Sequence, residues 1–306
     1  VWTTTPWTIP SNIAVAVNKK EKYTAYEFDG EKLWLMDKRI KALENEKVLT
    51  NGKKGESLTG EKLIGWEYSG PFDDIPLVMQ TLGNYVHRII DGEDVVTEEE
   101  GTGLLHVATG AGEEDFKLGL KNKLPVISSI EEDASYVSEM GEFAGKNAKW
   151  KPELIIDYVK QKDGGRFLLT TQMYQHRYPT CWRCKTELVW RVVDEWYIGM
   201  DKKDKSGKTN REQMMDVAKK INWMPSWGLE RELDWLKNMH DWLISKKRYW
   251  GLALPIWECD KCGNFEVVGG LPELKKKAVS GFDKFEGHSP HRPWVDQVKI
   301  KCSKCA

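Results

Sequence analysis

The chain has 306 residues, with Lys+Arg 46 against Asp+Glu 47, a formal net charge of -1 and 15 Trp. That length accommodates two domains with sizeable cores, and the charge balance excludes a globally basic nucleic-acid binder while leaving room for a local basic patch. No apolar run approaches membrane-spanning length and no signal-peptide pattern opens the chain, so no membrane partner and a cytoplasmic setting are expected.

The first segment, Trp2-Thr-Thr-Thr-Pro-Trp-Thr-Ile-Pro-Ser-Asn12, supplies a run of hydroxyls and one side-chain amide. Strands are predicted over Ile13–Val17, Tyr23–Phe28 and Lys32–Met36, the last two flanking the hairpin signal Asp29-Gly30. Further short strands are predicted at Val48–Leu49, Lys62–Tyr68, Tyr85–Ile90 and Val95–Val96. Many short strands between turn residues point to a barrel-like or sandwich architecture. The second segment, Gly101-Thr-Gly-Leu-Leu-His-Val-Ala-Thr-Gly-Ala-Gly-Glu-Glu-Asp115-Phe, combines a Gly-rich turn, a histidine and a carboxylate at the head of a predicted helix, Glu113–Leu120. Together the two segments can build a small polar pocket for an amino acid and a water. Neither holds a Ser or Cys nucleophile motif, so the chemistry they suggest is water attack. Each residue also has a plain reading. Asp115 can serve the helix dipole, His106 can be a packed strand histidine, and Thr3, Thr4 and Thr5 can be ordinary strand threonines.

Pro152–Gln161 is a predicted helix with Pro152 at its first turn. From about Arg177 the character changes, and Leu188–Val193 and Trp196–Met200 read as strands. Asp201–Thr209 reads as a polar loop, Glu212–Lys220 as a helix, and Leu229–Ile244 as a Trp-rich amphipathic stretch. All six cysteines fall in C-x-x-C pairs: Cys181/Cys184, Cys259/Cys262 and Cys302/Cys305. With no secretory signal, zinc is the stronger reading than disulfides. Cys259, Cys262, Cys302 and Cys305 make a complete four-thiolate set for a structural zinc, whereas Cys181 and Cys184 supply half of a second set. Asp241–Trp257 interleaves basic and aromatic residues, which fits a nucleic-acid patch or a buried strand with a basic edge.

These segments resemble isoleucyl-tRNA synthetases, class I aminoacyl-tRNA synthetases, over nearly the whole chain. Trp2–Asn12 is similar to the threonine-rich peptide of their editing domain and Gly101–Phe116 to its second motif. Tyr178-Pro-Thr-Cys-Trp-Arg-Cys184 with Asp194–Met200 resembles the return into the catalytic domain. Asp241–Trp257 resembles the family's D-W-x-I-S-R-Q-R-Y-W-G signature, with Lys246-Lys247 where R-Q is usual. The organisation of Cys259–Gly269 is most like archaeal-type sequences. The loop Ala108-Thr-Gly-Ala-Gly112 departs from the family's A-P-G-H-G, and the loss of its Pro and His predicts a looser turn.

The resemblance implies a mixed α/β protein: a β-barrel-like editing domain over residues 1–177, then, over 178–306, part of a Rossmann-type catalytic body with a zinc-knuckle module. It implies that Asp115 holds the substrate ammonium and that His106 lines the side-chain pocket. Thr3, Thr4, Thr5 and Asn12 would bind the terminal adenosine and position the water. Trp7 would wall the pocket or serve structure alone. Implied partners are the acceptor end of tRNA(Ile), valine and isoleucine aminoacyl groups, and the remainder of the synthetase chain. Zn2+ is the implied structural metal. ATP and Mg2+ belong to the intact parent, because the H-I-G-H and K-M-S-K-S motifs are absent here. The chain does not begin with Met and stops one residue after a Cys pair, which predicts an internal piece of a longer protein. A stand-alone trans-editing or tRNA-binding zinc protein is the alternative.

Overall fold

The computed structural model describes residues 1–245 and 253–305. It is a mixed α/β structure that divides into two compact units, Val1–Val193 and Asp194–Ala306.

The first unit is built on two three-stranded sheets. In one, β1 (Ala14–Val17) lies at the centre, between β5 (Arg88–Asp91) and β6 (Leu104–Val107). β1 is parallel to β5 and antiparallel to β6. Its four residues, Ala-Val-Ala-Val, are all buried, as an apolar run with no polar alternation requires of a strand covered on both faces. The other sheet is antiparallel: β2 (Lys22–Phe28) between β3 (Glu31–Met36) and β4 (Lys53–Thr59). The turn Asp29-Gly30 joins β2 to β3, both residues having positive φ, as an Asp-Gly hairpin demands.

Helices interrupt the strands. α1 (Asp37–Asn45) lays Ile40 and Leu43 onto Tyr26, Leu35 and Leu49 as a small core of its own. α2 (Gly60–Leu63) and α3 (Pro76–Leu82) follow, and α4 (Glu113–Asn122) and α5 (Glu153–Gln161) complete the unit. The main core gathers Trp7, Ile13, Val17, Met36, Phe72, Val107, Ile127, Met140, Phe143 and Ile155 among others.

The barrel-like expectation is corrected. Among the described residues the sheets are open and of two or three strands, and none closes on itself. The physical reason lies in the helices between the strands: α1 separates β3 from β4, α2 takes the start of the predicted strand Lys62–Tyr68, and α3 separates α2 from β5. Val48–Leu49 is not a strand but the turn that anchors α1, with Leu49 almost fully buried. Lys62–Tyr68 begins in α2 and keeps only an isolated bridge between Glu67 and Arg88. Leu188–Val193 has no regular structure.

The second unit holds β7 (Tyr197–Ile198) paired with β8 (Trp242–Leu243), and helices α6 (Asn210–Ala218) and α7 (Gly228–Asn238). α6 starts with a full capping box between Thr209 and Glu212. A hairpin of β9 (Ile256–Glu258) and β10 (Phe265–Val267) follows, then α8 (Leu271–Lys277), β11 (Ala278–Ser280), α9 (Phe282–Phe285) and β12 (Lys299–Ile300), which pairs with β11. All of its strand pairs are two-stranded and antiparallel, so a parallel Rossmann-type sheet is not present among the described residues. Lys246-Lys247 of the basic-aromatic signature lie outside the described residues. No helix of the described residues is long and apolar enough to cross a membrane.

Candidate functional site

The Thr-rich segment is not a strand. Pro6 and Pro10 remove backbone donors and fix φ, and residues Pro6–Ser11 wind into a 3-10 helix. Thr3, Thr4 and Thr5 precede it as a half-buried, irregular stretch in which the Thr5 N–H donates to Thr3 Oγ1 at 3.0 Å. The plain reading as strand threonines therefore fails at all three.

The β1–β6 ladder brings the two sequence segments together. Val15 faces His106 in register, and the Ile13 N–H donates to the Val107 carbonyl at 2.9 Å. This places Asn12 Nδ2 2.7 Å from His106 Nδ1. Thr8 Oγ1 lies 3.2 Å from His106 Nε2 and donates to the Thr5 carbonyl at 2.9 Å. His106 is 7 % exposed, and burial lowers its pKa to about 4, so the ring is neutral. Both its nitrogens are engaged by protein groups, which leaves it carbon atoms with which to meet a ligand.

Asp115 sits in the first turn of α4, after Glu113 and Glu114. Its Oδ2 accepts the Ala108 N–H at 2.9 Å, which ties it to the residue that follows β6. Burial raises its pKa to about 6, against the Ala108 hydrogen bond and with the Glu114 charge adding to it. Among the described residues no salt bridge to Asp115 is formed, so the carboxylate is a half-buried anion without a fixed cation. A group held in this way is suited to an ammonium ligand.

The loop between them is tightly fastened, contrary to the looser turn expected from its departures. Thr109 is fully buried and its hydroxyl donates to the Pro125 carbonyl at 2.7 Å. The Ala111 N–H donates to the Ala108 carbonyl at 2.9 Å. Gly110 has no alternative, since a Cβ there would stand 2.0 Å from the Ile127 carbonyl oxygen. Trp7 is 3 % exposed and belongs to the main core, and its indole N–H has no acceptor among the described residues.

Sequence reading passed over Tyr68, Asp73, Tyr85 and His87. His87 Nδ1 is 3.1 Å from the Ile13 carbonyl and Nε2 is 2.9 Å from Asp73 Oδ1. Burial opposes charge on His87, yet the Asp73 carboxylate and the Ile13 carbonyl raise its pKa above the usual imidazole value. The Tyr85 hydroxyl also donates to the Ile13 carbonyl, at 3.2 Å, and the Tyr68 hydroxyl reaches Asn12 Oδ1 at 2.5 Å. The alternation of Tyr85 and His87 on one face of a predicted strand was the available signal.

In the second unit Cys259 and Cys262 follow β9, and Cys302 and Cys305 follow β12. Their four sulfurs lie within 4.8 Å of one another. Cys259 Sγ is 3.5 Å from Cys305 Sγ, and Cys262 Sγ is 3.7 Å from Cys302 Sγ. A tetrahedral zinc at about 2.3 Å from each thiolate sets its sulfurs about 3.8 Å apart, so the donor set and its spacing fit that ion. The Lys304 and Cys305 N–H groups point at Cys302 Sγ from 3.3 and 3.5 Å and would stabilise a thiolate there. Cys181 and Cys184 gather no third ligand among the described residues. Cys184 Sγ instead lies 2.8 Å from Thr186 Oγ1.

The family model for "tRNA synthetases class I (I, L, M and V)" matches residues 1–299. The chain belongs to the class I tRNA synthetases. The synthetase chain is 40% identical over 305 residues to a protein named "Isoleucine--tRNA ligase" from Saccharolobus islandicus, covering 100% of this chain and 28% of that one. Proteins of the same name from Saccharolobus solfataricus and Methanopyrus kandleri are 39% and 38% identical, again over 100% of this chain and over 29% and 28% of theirs. The chain thus spans under a third of the length of the curated relatives it matches. A solved structure described as "The crystal structure of GlLeuRS-CP1" superposes with a TM-score of 0.41 at 14% identity, covering 52% of this chain and 78% of that one. A match along the length of the chain to a ligase family does not favour the stand-alone reading.

Proposed function

We propose that the first unit is the editing hydrolase of an isoleucine–tRNA ligase and that it cleaves Val-tRNA(Ile). The observation that carries this is the half-buried Asp115 carboxylate, bound to the backbone just beyond His106 and without a cation of its own. Discrimination of valine from isoleucine by one methylene is worth only about 1–3 kcal/mol, a limit for which isoleucyl-tRNA synthetases are themselves the standard example. A second pocket that accepts the smaller product and destroys it removes the remaining errors.

In this reading Asp115 binds the ammonium of the valyl group and orients the ester. The hydroxyls of Thr3, Thr4 and Thr5 bind the terminal adenosine and hold a water. That water adds to the ester carbonyl carbon, the carbonyl oxygen takes the charge, and the bond to the ribose oxygen breaks with a proton passing to it. Valine and free tRNA leave. Asn12 and His106 frame the pocket, and His106 excludes the extra methylene of isoleucine by its bulk. Residues 178–306 contribute part of the catalytic body, with a zinc held by Cys259, Cys262, Cys302 and Cys305 as a structural staple. The intact parent would charge tRNA(Ile) with ATP and Mg2+.

The test is deacylation of Val-tRNA(Ile) against Ile-tRNA(Ile) by the purified chain. Preferential release of valine is expected, and equal rates on both, or none on either, would refute the assignment. His106→Ala is expected to raise the relative rate on Ile-tRNA(Ile) by about tenfold, the scale of one methylene. An unchanged Ile-to-Val ratio would return His106 to a purely packed residue.

A further inference from the structure

Residues 66–88 lie outside both sequence motifs, yet they hold the junction between the 3-10 helix and β1. The Tyr68 N–H donates to the His87 carbonyl at 3.1 Å. The Tyr68 ring stacks on the His87 ring at 5.1 Å and 18°. This pair grips two consecutive residues: the Tyr68 hydroxyl takes the Asn12 side chain and His87 takes the Ile13 carbonyl.

The direction of every hydrogen bond beyond Tyr68 follows from what each atom is able to do. Asn12 Nδ2 lies 3.0 Å from the Ala14 carbonyl, which only accepts, so the amide nitrogen and not its oxygen faces that way. The same nitrogen lies 2.7 Å from His106 Nδ1. An amide nitrogen only donates, so Nδ1 carries no proton and the neutral ring holds its proton on Nε2. Nε2–H then donates to Thr8 Oγ1, whose own proton goes to the Thr5 carbonyl. Asn12 Oδ1 is left as an acceptor, and the Tyr68 hydroxyl fills it.

We infer that Tyr68 is a positioning residue of the editing pocket: together with the Ala14 carbonyl it holds the Asn12 amide, which locks His106 in the Nε2–H tautomer and, through Thr8, keeps a hydroxyl donor on the carbonyl of Thr5. The functional half of this inference rests on the editing assignment. The tautomer lock does not. Without the hydroxyl, the Asn12 amide loses one of the two partners that oppose its rotation and keeps the Ala14 carbonyl, and an amide oxygen turned to Nδ1 would call the ring proton there. Nε2 would then accept from Thr8, and the Thr5 carbonyl, next to the hydroxyls that hold the water, would lose the Thr8 hydroxyl donor and keep the Thr8 N–H at 3.1 Å.

The test is Tyr68→Phe in the full 306-residue chain; the variant keeps the ring against His87. Nitrogen-15 NMR of the His106 ring reads the tautomer, and deacylation of Val-tRNA(Ile) reads the pocket. The wild type is expected to show a single Nε2–H ring, and Tyr68→Phe a mixture with Nδ1–H. The kcat is expected to fall about tenfold with KM within about twofold, as for loss of an interaction that matters in the transition state and not in binding. Asn12→Asp is the second variant, expected to draw the proton onto Nδ1 whether or not Tyr68 is present. An unmoved tautomer in Tyr68→Phe alongside a shifted one in Asn12→Asp overturns the part played by Tyr68, and an unmoved tautomer in both variants, or an Nδ1–H ring in the wild type, overturns the lock altogether. A shifted tautomer with unchanged kcat overturns the positioning role. A wild-type chain that leaves Val-tRNA(Ile) intact removes that role together with the editing assignment, and the spectra still decide the lock.

Discussion

Asp115→Asn is expected to abolish hydrolysis of Val-tRNA(Ile) while making the folded chain more stable at pH 7.5. Asparagine can still accept the Ala108 N–H, which Asp115 Oδ2 now does at 2.9 Å, so the α4 start should remain in place. It cannot hold an ammonium by charge. The stability gain follows from the raised pKa. Asp115 ionises near 6 in the fold, against 3.8 for a free carboxyl, so folding holds its proton more tightly than the unfolded chain does. Its destabilising effect is absent below about pH 4, grows as pH rises to about 6, and is complete above that. The variant should therefore exceed the wild type by about 1–3 kcal/mol at pH 7.5 and match it near pH 4, as urea unfolding at the two pH values would read. His106 works in the opposite sense. Its pKa lies below the free imidazole value, so its neutral, buried form contributes stability above about pH 6.5 that is lost as pH falls toward about 4. In the wild type the two effects offset across the same window. Asp115→Asn should thus uncover an acid sensitivity that the wild type hides. Full deacylation by a folded Asp115→Asn would refute the ammonium role, and an unchanged stability difference across pH would refute the buried-carboxylate account.

Cys302→Ser is expected to remove the single tightly bound zinc and to loosen the end of the second unit, while Cys181→Ser changes neither. The small core there is Val268, Leu274, Phe285, Val295 and Val298, with Trp257 donating to the Val298 carbonyl at 2.8 Å. Five buried residues make a modest core, and the two knuckles join its β9–β10 hairpin to the strand pair that carries Cys302. A closed four-thiolate set binds zinc with a free energy of about 10–16 kcal/mol in small peptides, most of which acts as folding energy. Two thiolates alone leave half the coordination sphere to water. Metal analysis should read about one zinc per chain in the wild type and in Cys181→Ser, and near none in Cys302→Ser. Two tight zincs in the wild type, or loss of the zinc on Cys181→Ser, would overturn this pairing.

The amino-acid sequence by itself determined the features that depend on near neighbours. The Asp29-Gly30 hairpin, the fully apolar β1, the acidic head of α4 and the C-x-x-C spacing of Cys259 and Cys262 are local, and each was legible because a turn type, a burial pattern or a metal knuckle is set within a few residues. Family membership was legible for the same reason, since it rests on short motifs in order. β4 was not legible, because its surface is nearly all exposed and polar and shows no alternation. α1 was hidden by following a strand directly, with its buried Ile40 and Leu43 filling a core whose other walls lie in β2 and β3.

What only the tertiary structure decided is how the pocket is held. The sequence placed Asn12 and His106 ninety-four residues apart, and the β1–β6 register brings them to hydrogen-bonding distance. It gave no sign that Tyr68, Tyr85 and His87 close around Asn12 and Ile13, or that Thr109 fastens the loop it was expected to loosen. Those contacts join side chains far apart in the chain, and their energy depends on burial and on donor and acceptor directions. Both arise only when the sheet has assembled, so no local pattern can encode them.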